Sequence, residues 1–92
     1  MTPFTPAGIV AAPFLPMLPD YSVDWATLAS YIDWIAAQKP TAIAMNMDAS
    51  EGPALERDEQ LEVLRVCRDA IAGRVPLVSG LIAGSTAAAV RW

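Results

Sequence analysis

Residues 41–79 read TAIAMNMDASEGPALERDEQLEVLRVCRDAIAGRVPLVS, and this stretch decides the fold. It opens on an apolar run, Thr41-Ala-Ile-Ala-Met45, passes through a polar turn and a helix-period segment, and closes on a second run, Val75-Pro-Leu-Val-Ser79. Neither run alternates polar with apolar residues, which is the pattern of a strand covered on both faces. A strand, a helix and a strand in that order make a parallel βαβ unit. Working outward, Gly8-Ile-Val-Ala-Ala12 is another such run, placed before another helical segment. The chain is therefore expected to be α/β, with parallel strands near 8–12, 41–45 and 75–79. Three parallel strands leave two bare edges and lack half of their covering helices. Residues 1–92 are thus expected to be the N-terminal part of one larger domain.

The helical segments carry their own punctuation. Pro13, Pro16 and Pro19 make the stretch to Tyr21 a rigid loop that neither helix nor sheet accepts. The first helix is expected to start near Ser22 or Asp24, both N-cap residues, with Trp25, Leu28, Ile32 and Ile35 as its buried stripe. Trp25, Tyr31 and Trp34 are read as packing against the sheet, not as a stacking platform. The second helix follows Gly52-Pro53, with Glu56, Asp58 and Glu59 where the helix dipole favours negative charge. Leu61, Leu64, Cys67 or Ala70, and Ile71 form its expected inner face, and Gly73 its left-handed cap. Gly80 to Gly84 is a small-residue loop, after which Ser85 and Thr86 cap a last helix.

Composition points the same way and excludes several functions. The chain is 54% hydrophobic and 17% charged, below the ~25% charge of an ordinary soluble domain. A net charge of −4, with six scattered basic residues, argues against nucleic acid. No apolar run approaches the ~20 residues of a membrane span, and Pro13, Pro16 and Pro19 break the longest candidate. No basic residue precedes Lys39, so the basic start of a secretory or transit peptide is missing and a cytoplasmic location is expected. The single cysteine, Cys67, allows no internal disulfide and reads as an inert packing thiol. With no histidine in the chain, a His-based triad or metal site is excluded within these residues.

In a parallel sheet, function gathers in the loops after the strands. Of the three such loops, Asn46-Met-Asp-Ala-Ser-Glu-Gly52 is the chemically dense one, with two carboxylates, an amide and a hydroxyl just before a helix start. Free N–H groups there suit an anionic ligand. Alternatively, Asp48 or Ser50 satisfies those same groups and Glu51 ties to a neighbouring loop. The acidic helix start is read as dipole-matched and solvated, not as a metal site. The loop at Gly80 has neither P-loop nor GxGxxG spacing.

Several motifs in order, the first strand with its proline loop, Ser22-Val-Asp-Trp25, Tyr31-Ile-Asp-Trp34, Ala72-Gly-Arg-Val-Pro76 and Ser85-Thr86, resemble the dihydrodipicolinate synthase/N-acetylneuraminate lyase family. The resemblance runs without a gap over residues 8–90. It implies a (β/α)8 TIM barrel, of which these are the first three strands. It also implies class I aldolase chemistry without a cofactor, in which a sixth-strand lysine forms a Schiff base with a 2-keto acid and a fifth-strand tyrosine relays protons. Both residues would lie beyond Trp92. Lys39, the only lysine in the chain, falls at the opposite end of the sheet and is not that nucleophile. The implied partner is a small keto-acid-type substrate, bound by a homo-oligomer when the protein is complete.

Departures from the family pattern fall in one place. After strand two the family carries Gly-Thr-Thr-Gly-Glu, which holds the keto-acid carboxylate, whereas this chain has Met47-Asp48-Ala49-Ser50-Glu51. Only the glutamate survives, and Leu15 replaces the threonine expected before Pro16. A carboxylate beside Asp48 would be repelled by several kcal/mol, since like charges ~4 Å apart cost ~4 kcal/mol at an effective dielectric of ~20. Asn46, Asp48, Ala49, Ser50 and Glu51 are the expected substrate-binding residues, for a substrate whose hydroxyl or amino groups satisfy Asp48. The alternatives are a barrel that binds a metabolite without chemistry, and a short protein pairing with itself through its sheet edges.

Overall fold

Ala42–Met45 (β2) is the middle strand of a three-stranded parallel sheet, flanked by Val10–Ala11 (β1) and Leu77–Ser79 (β3). The computed structural model describes residues 7–81 and 85–91, with the backbone alone at Asp48 and Arg91. In the sheet Val10 lies beside Ala42, Ile43 beside Leu77, and Met45 beside Ser79. β2 is buried along its whole length, as its unbroken apolar run predicts. The outer strands are shorter than expected, and they are incompletely covered, as a sheet lacking half of its covering helices must be. Ile9 is 75% and Val10 46% exposed because β1 is a sheet edge. β3 starts only after Pro76, whose carbonyl accepts from the Ile43 N–H at 3.0 Å but which has no N–H to give in return.

Helix Trp25–Ala37 (α1) is capped by Asp24, whose Oδ1 accepts from the Thr27 N–H at 3.1 Å. Ser22, the other candidate cap, instead bonds Asp20 through its backbone N–H and hydroxyl. Leu28, Ile32 and Ile35 are buried, and Trp25 packs half-buried against the same core. Trp34 overturns its expected packing: it is 62% exposed, on the side of α1 away from that stripe. Tyr31 is half-buried and stacks on Phe14, ring centroids 4.7 Å apart.

Helix Arg57–Ile71 (α2) starts where the acidic cluster predicts, and Glu59 Oε1 accepts from the Glu56 N–H at 3.0 Å. Of its expected inner face, Cys67 and Ile71 are buried and Leu64 packs half-buried on the core, whereas Leu61 is exposed; Gln60 and Val63 complete the buried stripe. Gln60 is held inward by the hydrogen bond that its Nε2 donates to the Gly52 carbonyl at 2.7 Å. The left-handed residue after α2 is Ala72, with φ 52°, and Gly73 follows at φ 77°. Ser85 Oγ caps the third helix, Thr86–Arg91 (α3), by accepting from the Ala88 N–H at 3.1 Å. Residues 82–84 of the loop before it lie outside the described residues.

One buried cluster joins Ile43 and Met45 of β2 to Leu28 and Ile32 of α1 and to Val63 and Cys67 of α2. Both helices therefore cover the same face of the sheet, as consecutive βαβ units require. Burial pushes the Cys67 thiol up to about 12, because the thiolate would lose its water. Arg74 ties the turn after α2 to α1 by an ion pair with Asp33 at 2.6 Å. Among the described residues no helix is long and apolar enough to cross a membrane.

Candidate functional site

The loops after β1, β2 and β3 leave the parallel sheet at one end. The first is a small hairpin, closed by an antiparallel bridge between Met17 and Val23 and anchored by the buried Leu15. Leu15, which stands where a hydroxyl was expected, thus belongs to the core. Lys39 lies at the opposite end of the sheet, as expected. It lines a groove of about 480 Å3 with Ile9, Ile35 and Pro40, which marks the uncovered β1 edge, not the loop end.

The second loop is built around two left-handed residues. Asn46, at φ 57°, turns the chain out of β2, and Glu51, at φ 59°, joins two short 3-10 turns, Asp48–Ser50 and Gly52–Ala54. Asparagine tolerates this conformation better than most residues, whereas glutamate is strained there. The Met47 carbonyl is the hub of the first turn, accepting from the Ser50 N–H at 3.1 Å and the Gly52 N–H at 3.0 Å. Ser50 Oγ accepts from the Met47 N–H at 3.0 Å and donates to the Met47 carbonyl at 3.3 Å.

The five expected site residues therefore separate. Asn46 and Ser50 are each 1% exposed, and their side chains bond within the fold. Ser50 thus follows the alternative reading in part: it is consumed locally, though by Met47 and not by the start of α2. Ala49 and Glu51 face solvent. Asp48 shares the turn by its backbone, and its side chain is outside the described structure. Glu56 and Glu59 close part of the α2 start on themselves. No group of three or more acidic or cysteine side chains among the described residues could hold a metal ion.

Three supporting residues escaped the sequence reading. Asn46 Nδ2 donates to the Gln60 carbonyl at 3.2 Å and to Ser79 Oγ at 3.4 Å, which connects β2 to both α2 and β3. Gly80 follows, its N–H donating to the Met45 carbonyl at 2.8 Å. The available signal was Gln60, a polar residue in phase with Val63, Cys67 and Ile71. Ser79 and Gly80 carried no signal beyond their small size.

Comparison with known proteins gives this geometry a context. Residues 5–92 match the dihydrodipicolinate synthetase family. The 4-hydroxy-tetrahydrodipicolinate synthase of Leptothrix cholodnii is 37% identical over 83 residues, covering 90% of this chain and 28% of that enzyme. The corresponding enzyme of Azoarcus sp. gives the same figures, 37% identity and 28% of its length. The chain thus spans under a third of the curated relatives it matches. Dihydrodipicolinate synthase from Acinetobacter baumannii, solved with pyruvate, superposes with a TM-score of 0.88 at 29% identity, over 95% of this chain and 30% of that one. N-acetylneuraminate lyase from Mycoplasma synoviae shares the fold, with a TM-score of 0.77 at 19% identity, over 89% of this chain and 29% of that one. The three βα units are the N-terminal part of a TIM barrel.

Proposed function

Because the chain belongs to the dihydrodipicolinate synthetase family, we propose that it is the opening portion of a barrel that forms a Schiff base with a 2-keto acid. Residues 1–92 supply part of one barrel domain and the second-loop wall of its mouth. The sixth-strand lysine and fifth-strand tyrosine belong to the remainder. The lysine amine condenses with the substrate carbonyl and, with one proton taken up, water leaves and an iminium remains that withdraws electrons from the adjacent carbon. The complete protein acts as a homo-oligomer in the cytoplasm.

The observation that carries this reading is the family match along almost the whole chain, joined to three loops at one end of a parallel sheet. The second-loop wall favours a substrate other than plain pyruvate. Ser50 has spent its hydroxyl on Met47, Ala49 has none, and Glu51 brings a negative charge. Asp48 and Glu51 are the groups for hydroxyl or amino substituents, Ala49 is a contact surface, and Asn46 and Ser50 hold the turn. The same lack of hydroxyls favours a second reading, a barrel that binds a metabolite without chemistry.

Borohydride trapping on the complete protein separates the two readings. A mass increase on one lysine with a 2-keto acid supports the Schiff base. Ligand binding with no trapped adduct would favour the binding barrel. The 92-residue chain alone, with only Lys39, is expected to trap nothing.

A further inference from the structure

We propose that Asn46 is a positioning residue: its side chain clasps the second loop to the third and so fixes the width of the mouth between β2 and β3. The inference rests on the Schiff-base reading, and it assigns Asn46 no contact with substrate. Three independent features converge on this residue. Its Nδ2 reaches two separate elements, the Gln60 carbonyl in α2 at 3.2 Å and Ser79 Oγ in β3 at 3.4 Å. Ser79 Oγ in turn donates to the Gly80 carbonyl at 2.9 Å, so the amide controls the first residue of the third loop through one intermediary.

The backbone of Asn46 is gripped as well. A Cβ at Gly52 would stand 2.6 Å from the Asn46 carbonyl oxygen, and one at Gly80 would press still closer to the same atom. Real Cβ atoms essentially never approach so near. Asn46 is thus the point at which the two loops touch, and its carbonyl lies between two residues that have no side chain.

Stability alone does not account for an amide here. Asn46 Oδ1 is buried and has no donor among the described residues. A buried acceptor without a donor costs free energy that an apolar side chain would not incur. What the amide supplies instead is direction: two donors at a fixed angle, aimed at two elements. Displacing the turn moves Ala49 and Glu51 with it, because Gly52, Ser50 and Met47 are bonded into one unit.

The test uses Asn46→Asp and Asn46→Gly in the complete protein. Both accept the left-handed backbone and both abolish the two donated bonds, but only the first adds a charge. For a clasp that acts on ground state and transition state alike, both variants raise KM for the keto acid about tenfold with kcat within threefold. Amide exchange at Gly52 and Gly80 accelerates at least tenfold in both, while Leu28 and Ile32 of α1 keep their protection. A KM unchanged in both variants, with the wild type active, overturns the positioning role and leaves the Schiff-base reading standing. A change in the aspartate variant alone also overturns it, by assigning the effect to charge. If the wild type traps no keto acid, the Schiff-base reading falls. The exchange data then decide the clasp alone, and unaltered protection at Gly80 overturns it.

Discussion

Gly52 lies so close to Asn46 that a Cβ carbon there would stand 2.6 Å from the Asn46 carbonyl oxygen. The obstacle is backbone in a bonded turn, which cannot step aside like the end of a flexible side chain. Gly52→Ala is therefore expected to destabilise the protein by ~1–3 kcal/mol, the usual cost of overpacking. Urea unfolding checks this, and an unchanged midpoint would show that the turn is looser than its bonds imply.

Ala72 gives a prediction of opposite sign. It sits at φ 52° directly after α2, where an L-residue with a Cβ carries ~1–2 kcal/mol of strain. Ala72→Gly removes that strain and returns ~0.4–1 kcal/mol of entropy to the unfolded chain. The balance favours the variant by ~0.5 kcal/mol or slightly more, read as a higher denaturation midpoint. Gly73→Ala, at φ 77°, is expected to lower it.

Arg74 has two tasks, and they have unequal weight. Its ion pair with Asp33 joins side chains that are 38% and 65% exposed, so solvent screens it and Asp33→Asn costs less than ~1 kcal/mol. Its guanidinium also donates to the Ile71 carbonyl at 2.8 Å and the Ala70 carbonyl at 2.7 Å at the end of α2, where the Ile71 carbonyl also accepts from the Arg74 backbone N–H at 3.2 Å. Arg74→Ala is expected to cost ~1–2 kcal/mol. Equal losses from the two variants would contradict this division.

Cys67 is expected to resist alkylation at pH 8 in the folded protein and to react once urea unfolds it. The folded thiol has its pKa raised from 9.0 to about 12 by desolvation. Between those values the folded state binds more protons than the unfolded one. Its contribution to stability is thus fully present below pH 9.0 and is lost as pH rises towards about 12. Unfolding midpoints that Cys67→Ala leaves equally alkali-sensitive would assign the loss to other groups.

Asp48→Thr with Ala49→Thr restores hydroxyls to the second loop and removes one negative charge. In the complete protein this pair is expected to move preference towards unsubstituted keto acids, by tenfold or more in relative kcat/KM. Competition between pyruvate and a hydroxylated keto acid measures it. An unmoved ratio would take Asp48 and Ala49 out of the specificity site.

Local signals in the chain determined the order of its elements. The apolar run at Thr41–Met45 needs no knowledge of neighbours to read as a buried strand. Asp24 and the acidic residues before Leu61 mark helix starts by chemistry that acts within one turn. Family membership was likewise legible, since it rests on residues in sequence order. The site was legible only in outline. Residues 46–51 could be named as the dense loop, but not which of their side chains face outward. That depended on Gln60, fourteen residues beyond Asn46, and on Ser79, thirty-three beyond it. Trp34 and Leu61 misled for a related reason: helical periodicity gives the spacing of a buried face, but its rotation about the axis is set by what packs against it. Gln60, bonded to the Gly52 carbonyl, is buried on α2 where Leu61 was expected, and Leu61 is exposed. Local chemistry chose strand, helix and turn. Only the tertiary structure decided which polar atoms the fold itself consumes and which it leaves for a ligand, because that depends on partners distant in sequence.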